Sequence, residues 1–306
     1  MVKRSLLSVL ALAASFFAVS VIGLGAFTRL IDAGLGCPDW PTCYGHLIVP
    51  ATLPSTHFTV YQAWAEMIHR YFAGTLSLLI IAIAIVVFRK ANRSRSNIIL
   101  VSCLFVLLAY QILLGQWTVT LKLLPIIVTQ HLLGGFFILS VLWLIYLNNN
   151  VMLHNTLRGI SIRGLLPWAI VALMILFFQI VAGAWTSTNY ASLSCPDFPF
   201  CFNATPFLET TVKQTIQMTH RFGALVLTSY FLIFIAIAIL KFKNNFELMK
   251  SAYAILFLLV LQLCLGISNV IFKLPVITAV SHTIVAVLLL LSLITLIFKL
   301  IKVRVR

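Results

Sequence analysis

Eight long apolar stretches, separated by short polar connections, run along the chain. They predict helices at roughly 5–30, 61–88, 97–120, 125–148, 165–187, 212–240, 250–271 and 275–298. Each is long enough for the ~30 Å hydrocarbon core of a bilayer, which takes about 20 residues of helix. Strands are excluded because the runs are long and continuous, and lipid offers the backbone no partner outside its own segment. The reading is an all-α membrane protein of eight transmembrane helices.

Basic residues set the orientation. One set of connections carries Lys3, Arg4, Arg89, Lys90, Arg93, Arg95, Arg158, Arg163, Lys241, Lys243, Lys250, Lys299, Lys302, Arg304 and Arg306, fifteen of the 21 Lys and Arg. The opposite set carries Arg29, Lys122, Lys213 and Lys273, while Arg70 and Arg221 fall inside helices 2 and 6. The positive-inside rule then places both termini in the cytoplasm. Of the 306 residues, 62% are hydrophobic and 9% charged, against about 25% charged in a soluble domain. This excludes a soluble domain, a disordered chain and a nucleic-acid binder, despite the net charge of +15. The basic excess is topological, and its partner is the lipid bilayer with its anionic inner leaflet. The first apolar run continues to Leu30 past the small residues Ala11 to Ala13, so it reads as a retained span. No transit-like extension precedes it, which favours a bacterial inner membrane.

The chain repeats itself. Gly25-Ala26-Phe27-Thr28 returns 158 residues later as Gly183-Ala184-Trp185-Thr186, and Cys37-Pro38-Asp39-Trp40-Pro41-Thr42-Cys43 returns at the same spacing as Cys195-Pro196-Asp197-Phe198-Pro199-Phe200-Cys201. His69-Arg70, Leu114-Gly115 and His131 return 151 residues later as His220-Arg221, Leu265-Gly266 and His282. Residues 1–150 and 151–306 therefore read as two tandem four-helix bundles. Because each has an even number of spans, a pseudo-two-fold axis along the membrane normal relates them.

His46, His57 and His154 fall in connections and read as solvated. His69, His131, His220 and His282 lie one each on helices 2, 4, 6 and 8, about 6–9 residues in and so roughly 9–14 Å deep. An imidazole in lipid needs a partner and points to function. A hydrogen bond to a neighbouring helix explains one such ring; four, paired by repetition, suit two haems held by axial imidazoles. Zinc would want a third or fourth ligand at each pair, and none accompanies them.

The repeats differ at one position. Glu66 shares a helix face with His69, and its counterpart is Gln217. An acid beside one pair can exchange protons; an amide beside the other suits a held cofactor and electron transfer. An ion pair with Arg70, four residues on, is compatible with that role. Arg70 and Arg221 point about 100° away from the histidines they follow. Either they snorkel to the outer interface or they fork onto a haem propionate.

Cys37 with Cys43 and Cys195 with Cys201 lie in outer loops, where an oxidising compartment favours a disulfide in each. The spacing is neither a zinc knuckle nor a thioredoxin motif. Both read as loop staples, with a redox or haem-handling role as the alternative for Cys37–Cys43. Cys103 and Cys264, single in helices 3 and 7, read as packing residues.

Together, Gly34-Leu35-Gly36-Cys37-Pro38-Asp39-Trp40-Pro41-Thr42-Cys43-Tyr44-Gly45, Glu66-x-x-His69-Arg70, His131, His220-Arg221 and His282 resemble the haem A synthase family of the bacterial type, related to the mitochondrial assembly protein of the same activity. The resemblance covers nearly the whole chain. It implies an oxidoreductase that turns the C8 methyl of haem O into the formyl of haem A by successive hydroxylations and loss of water. Haem A then serves haem–copper terminal oxidases. It further implies haem b on His220 and His282 in residues 151–306, and substrate haem between His69 and His131 in residues 1–150. Glu66 is the implied catalytic residue and Cys37–Cys43 the implied disulfide. Expected partners are haem O, haem O synthase and an electron acceptor in the membrane, with a homo-oligomer also compatible. A dihaem b-type, quinol-linked electron-transfer protein is the alternative, against which the Glu66/Gln217 difference argues; a haem carrier or transporter is a further one, which turnover to a formyl product would exclude.

Overall fold

The computed structural model describes residues 5–54, 57–89, 93–150, 160–201 and 211–303. Lys3, Arg4, Lys90, His154, Arg158, Arg304 and Arg306 lie outside the described residues. Those described form eight α-helices: α1 (Leu6–Leu30), α2 (Val60–Phe88), α3 (Arg95–Thr120), α4 (Pro125–Asn149), α5 (Leu166–Thr188), α6 (Val212–Phe242), α7 (Phe246–Ile271) and α8 (Val276–Ile301). A short 3-10 turn, Ile160–Leu165, leads into α5. All eight are long and apolar enough to cross a membrane, and the chain is a multi-pass membrane protein.

Local chemistry sets the helix ends. Thr59 with Gln62, and Thr211 with Gln214, form capping boxes that satisfy the first free N–H groups of α2 and α6. Asn245 caps α7, which therefore begins at Phe246 rather than at the predicted 250. The helix α8 runs on to Ile301 because Lys299 stays 9% exposed and meets Glu247 at 3.4 Å instead of marking the edge of a polar connection. Four helices end in the same way. Asp32, Leu123, Tyr190 and Leu274 take positive φ. Around those left-handed residues the chain folds back through Ala33 N–H to Thr28 O (2.9 Å), Leu123 to Thr118 (2.8 Å), Ala191 to Thr186 (3.0 Å) and Leu274 to Asn269 (2.7 Å).

The chain divides into two compact units, Met1–Asn149 and Asn150–Arg306. In the first, α1 packs on α2 and α4, and α3 packs on the same two helices. That ring of contacts sets α2 and α4 on a diagonal. In the second unit α5 and α7 each pack on α6 and α8, so α6 and α8 hold the corresponding diagonal.

Side-chain sizes suit a lipid solvent. The stripe of Ala11 (0%), Ala14 (0%) and Ala18 (1%) turns inward on α1, while Phe16 is 65% exposed. Small residues let helices approach where no hydrophobic drive separates protein from solvent. Cys103 and Cys264 follow the outward pattern. They are exposed, not packed as the sequence suggested, because each falls on the lipid-facing side of its helix.

One polar clasp ties the start of α3 to the end of α4. Asn97 exchanges two bonds of 3.0 Å with Asn149 and accepts a third from Asn148 at 3.1 Å. Asn97 is 3% exposed, so removing it strands the partner amides. Asn97→Leu is expected to cost about 1–3 kcal/mol. It should lower the thermal unfolding midpoint of the detergent-purified protein, and an unchanged midpoint would show that the clasp carries no stability.

Candidate functional site

The four intramembrane histidines face the interiors of their units. His69 on α2 and His131 on α4 meet across the diagonal with ring centroids 6.5 Å apart and planes at 80°. In the second unit His220 on α6 and His282 on α8 stand on the two helices of the corresponding diagonal. All four rings are half-buried.

Each ring rests against a glycine of a neighbouring helix. A Cβ on Gly25 would stand 3.0 Å from His69 Cε1, and one on Gly183 would stand 2.9 Å from His220 Cε1. The same holds for Gly115 at 3.4 Å from His131 and Gly266 at 3.1 Å from His282. Real Cβ contacts are rarely so short, so any larger residue at Gly25, Gly183 or Gly266 pushes the ring off its seat. These glycines mark the repeat in the sequence, yet their role became visible only with the rings in place. Glutamines were also missed: Gln111, Gln179 and Gln262 each bring an amide to a histidine, at 2.8 Å to His131 O, 3.0 Å to His220 Nδ1 and 3.1 Å to His282 Nε2. The recurrence of Gln111 as Gln262, 151 residues on, was the available signal.

Glu66 sits one turn from His69 and is 5% exposed; its counterpart Gln217 is 3% exposed. The two differ in charge and not in burial. Glu66 Oε2 accepts the Cys37 N–H at 2.9 Å, and Oε1 pairs with Arg70 at 2.5 Å. Gln217 reproduces the loop contact by accepting the Cys195 N–H, and adds a bond from Nε2 to Ser192 O, both at 2.5 Å. Position 66 therefore docks the loop in either repeat, and only the first docking brings a carboxylate. Gly36 makes room for it: a Cβ there would lie 2.9 Å from the Ala63 nitrogen on α2.

The arginines reach the loops that follow α1 and α5. Arg70 donates to the carbonyls of Asp39 (2.9 Å) and Thr42 (2.8 Å). Arg221 donates to those of Asp197 and Cys195, both at 2.6 Å. Arg70 is thus divided between main chain and Glu66, while Arg221 gives both terminal nitrogens to main chain and its Nε is buried with no hydrogen-bond partner among the described residues. Disulfides join Cys37 to Cys43 and Cys195 to Cys201, and both Trp40–Pro41 and Phe198–Pro199 are cis. Asp39 organises the turn between the first two cysteines, where Tyr44 and Gly45 take positive φ. Its carboxylate accepts the Thr42 hydroxyl, the Tyr44 N–H at 2.6 Å and the Gly45 N–H at 2.8 Å. Burial raises the Asp39 carboxyl, but these three donors outweigh it and hold it below the ordinary carboxylate value.

The chain is thus a multi-pass membrane protein with two histidine-bearing helix bundles and a buried carboxylate, Glu66, in the first at the position that Gln217 holds in the second. The chain belongs to the COX15-CtaA family of cytochrome oxidase assembly proteins, whose model it matches over residues 8–294. It is 39% identical to the Heme A synthase of Shewanella oneidensis, across 91% of this chain and 92% of that protein. It is 27% identical to the Heme A synthase of Bacillus licheniformis, with 84% of each chain covered. Against that of Lysinibacillus sphaericus it is 28% identical over 87% of this chain and 85% of the other.

Because the folded value of Asp39 is depressed, its support for the turn is present above the unfolded carboxyl value and is lost as pH falls through the folded one. Protection of the Tyr44 and Gly45 amides from hydrogen exchange should fall over that acid range. In Asp39→Ala it should already be low at neutral pH. Equal protection in variant and wild type would contradict the role given to Asp39.

Proposed function

We propose that the chain is a haem A synthase, an oxidoreductase that converts the C8 methyl of haem O to the formyl group of haem A for haem–copper terminal oxidases. The observation that carries this reading is the diagonal pair His69 and His131, with rings 6.5 Å apart and a carboxylate one helical turn away. Two metal–imidazole bonds of about 2 Å each, with about an ångström from each nitrogen to its ring centre, put centroids roughly 6 Å apart. The glycine seats and the half-buried rings suit a planar macrocycle entering between them. The family and the names of the relatives point the same way.

In this reading residues 1–150 take the substrate haem on His69 and His131, and residues 151–306 hold haem b on His220 and His282. Haem b supplies one-electron transfer. Glu66 is the catalytic residue. Turning a methyl into an aldehyde removes protons as well as electrons, and Glu66 accepts a proton or orients water at the reacting edge. Arg70 balances its charge, and the Cys37 N–H fixes the direction of the carboxylate. The Cys37–Cys43 disulfide keeps that N–H in place, while Cys195–Cys201 staples the matching loop beside Gln217. Arg70 and Arg221 contact propionates through donors not already given to the loops, such as Arg221 Nε.

We further read the chain as lying in a bacterial inner membrane with both termini cytoplasmic. Haem O arrives from haem O synthase, electrons leave to an acceptor in the membrane, and a homo-oligomer is compatible with this arrangement. A dihaem electron-transfer protein would need the same four histidines but no special carboxylate. The Glu66/Gln217 difference and the relatives' names do not support it.

Two variants test the assignment. Glu66→Gln should bind both haems but make haem A at least about 100-fold more slowly; formation at the wild-type rate would remove Glu66 from the chemistry. His220→Ala or His282→Ala should each lose the low-spin b-type absorbance, and an unchanged reduced-minus-oxidised spectrum would refute those ligands.

A further inference from the structure

The residue three places after each histidine decides where a glutamine amide comes to rest. Gln111 on α3 donates to the His131 carbonyl at 2.8 Å, and its amide lies over Gly134, in space that a Cβ would fill. The niche recurs between α5 and α6. Gln179 Nε2 stands 3.0 Å from the His220 carbonyl and 3.0 Å from His220 Nδ1, with Oε1 in the space over Gly223. Where that residue is larger, the niche is closed. Val285 follows His282, and the amide of Gln262 turns to the ring, 3.1 Å from His282 Nε2. Phe72 follows His69 and stacks on Phe17 at 5.2 Å, and the position matching Gln179 is Val21.

The two pairs therefore differ in kind. Both rings of the second pair touch an amide. In the first pair Gln111 is spent on main chain and Val21 has no polar side-chain group; among the described residues the buried Nδ1 atoms of His69, His131 and His282 have no hydrogen-bond partner, so His220 is the ring whose Nδ1 meets a side-chain amide.

We propose that Gln179 is a positioning residue that sets which nitrogen of His220 carries the ring hydrogen, and so readies the second pair to hold a resident haem. With its Nε2 toward the ring, the amide donates to Nδ1 and the hydrogen sits on the histidine Nε2. Turned through 180°, it presents Oε1, accepts from Nδ1–H and leaves the histidine Nε2 lone pair for a metal. The two ends of an amide are nearly equal in size, so the niche over Gly223 has room for either, but the turned amide gives up the bond from Nε2 to the His220 carbonyl, a loss that bonding of the histidine Nε2 to a metal has to offset. An acceptor on Nδ1–H raises the basicity of the ligand, which favours ferric over ferrous iron and lowers the potential. Valine at the matching position of the first repeat brings no side-chain amide to His69.

This inference rests on His220 and His282 being haem ligands. The test uses full-length, detergent-purified wild type, Gln179→Val (the residue of the first repeat) and Gln179→Glu, a pure acceptor. Each is scored for the low-spin b-type band and for the midpoint potential of that band by spectroelectrochemical titration. The expected result is a retained band in all three, a more positive midpoint in Gln179→Val and a more negative one in Gln179→Glu. If Gln179→Val loses the band, a retained and negatively shifted band in Gln179→Glu still supports the proposal. Variant midpoints equal to that of the wild type, or a Gln179→Glu protein without the band, overturn it. A wild-type protein with no low-spin b-type band instead overturns the ligand reading beneath it.

Discussion

An imidazole in an apolar bundle has to be seated by its neighbours, because lipid offers it no partner. The rest of the structure follows from that constraint. Each ring lies in a diagonal gap and rests on a glycine of the adjacent helix. The seat works only if the backbones approach closely, which the inward alanines of α1 allow. Bulk is moved to the lipid face, where Phe16 stands exposed. The small stripe is local to α1, since large side chains such as Met67, Phe231 and Phe234 are fully buried elsewhere in the bundles.

The loops after α1 and α5 belong to the same design. Each is tied to its bundle twice, through an arginine on main-chain carbonyls and through the residue at position 66 or 217 on a cysteine N–H. The architecture tolerates either glutamate or glutamine there, since both accept the same bond. A single substitution in one copy of a duplicated bundle is therefore enough to place an ionisable group beside one histidine pair while leaving the scaffold untouched. That is a physical route by which two alike halves take on unlike work.

Much of this was legible in the sequence, for stated reasons. Helix existence followed from the length of the apolar runs. The matched histidines followed from the repeat, since side chains at equivalent places in a duplicated bundle face equivalent interiors. Ends were less legible: α7 starts at Phe246 because Asn245 caps it, and α8 continues past Lys299 because Glu247 pairs with that ammonium. A basic residue reads as a boundary until its partner on another helix is known. Cys103 and Cys264 were misjudged because periodicity says little where both faces of a helix are apolar. The glycine seats and the glutamine niches could not be read at all. They depend on which helix lies against which, and that is a property of the ring of contacts and not of any one segment.

Two unlike haem sites in one chain are tested most directly by the mass and absorbance of the haems extracted from the purified full-length protein after co-expression with haem O synthase. Haem b together with haem A is the predicted result. Haem b with unmodified haem O alone, or no haem at all, would contradict it.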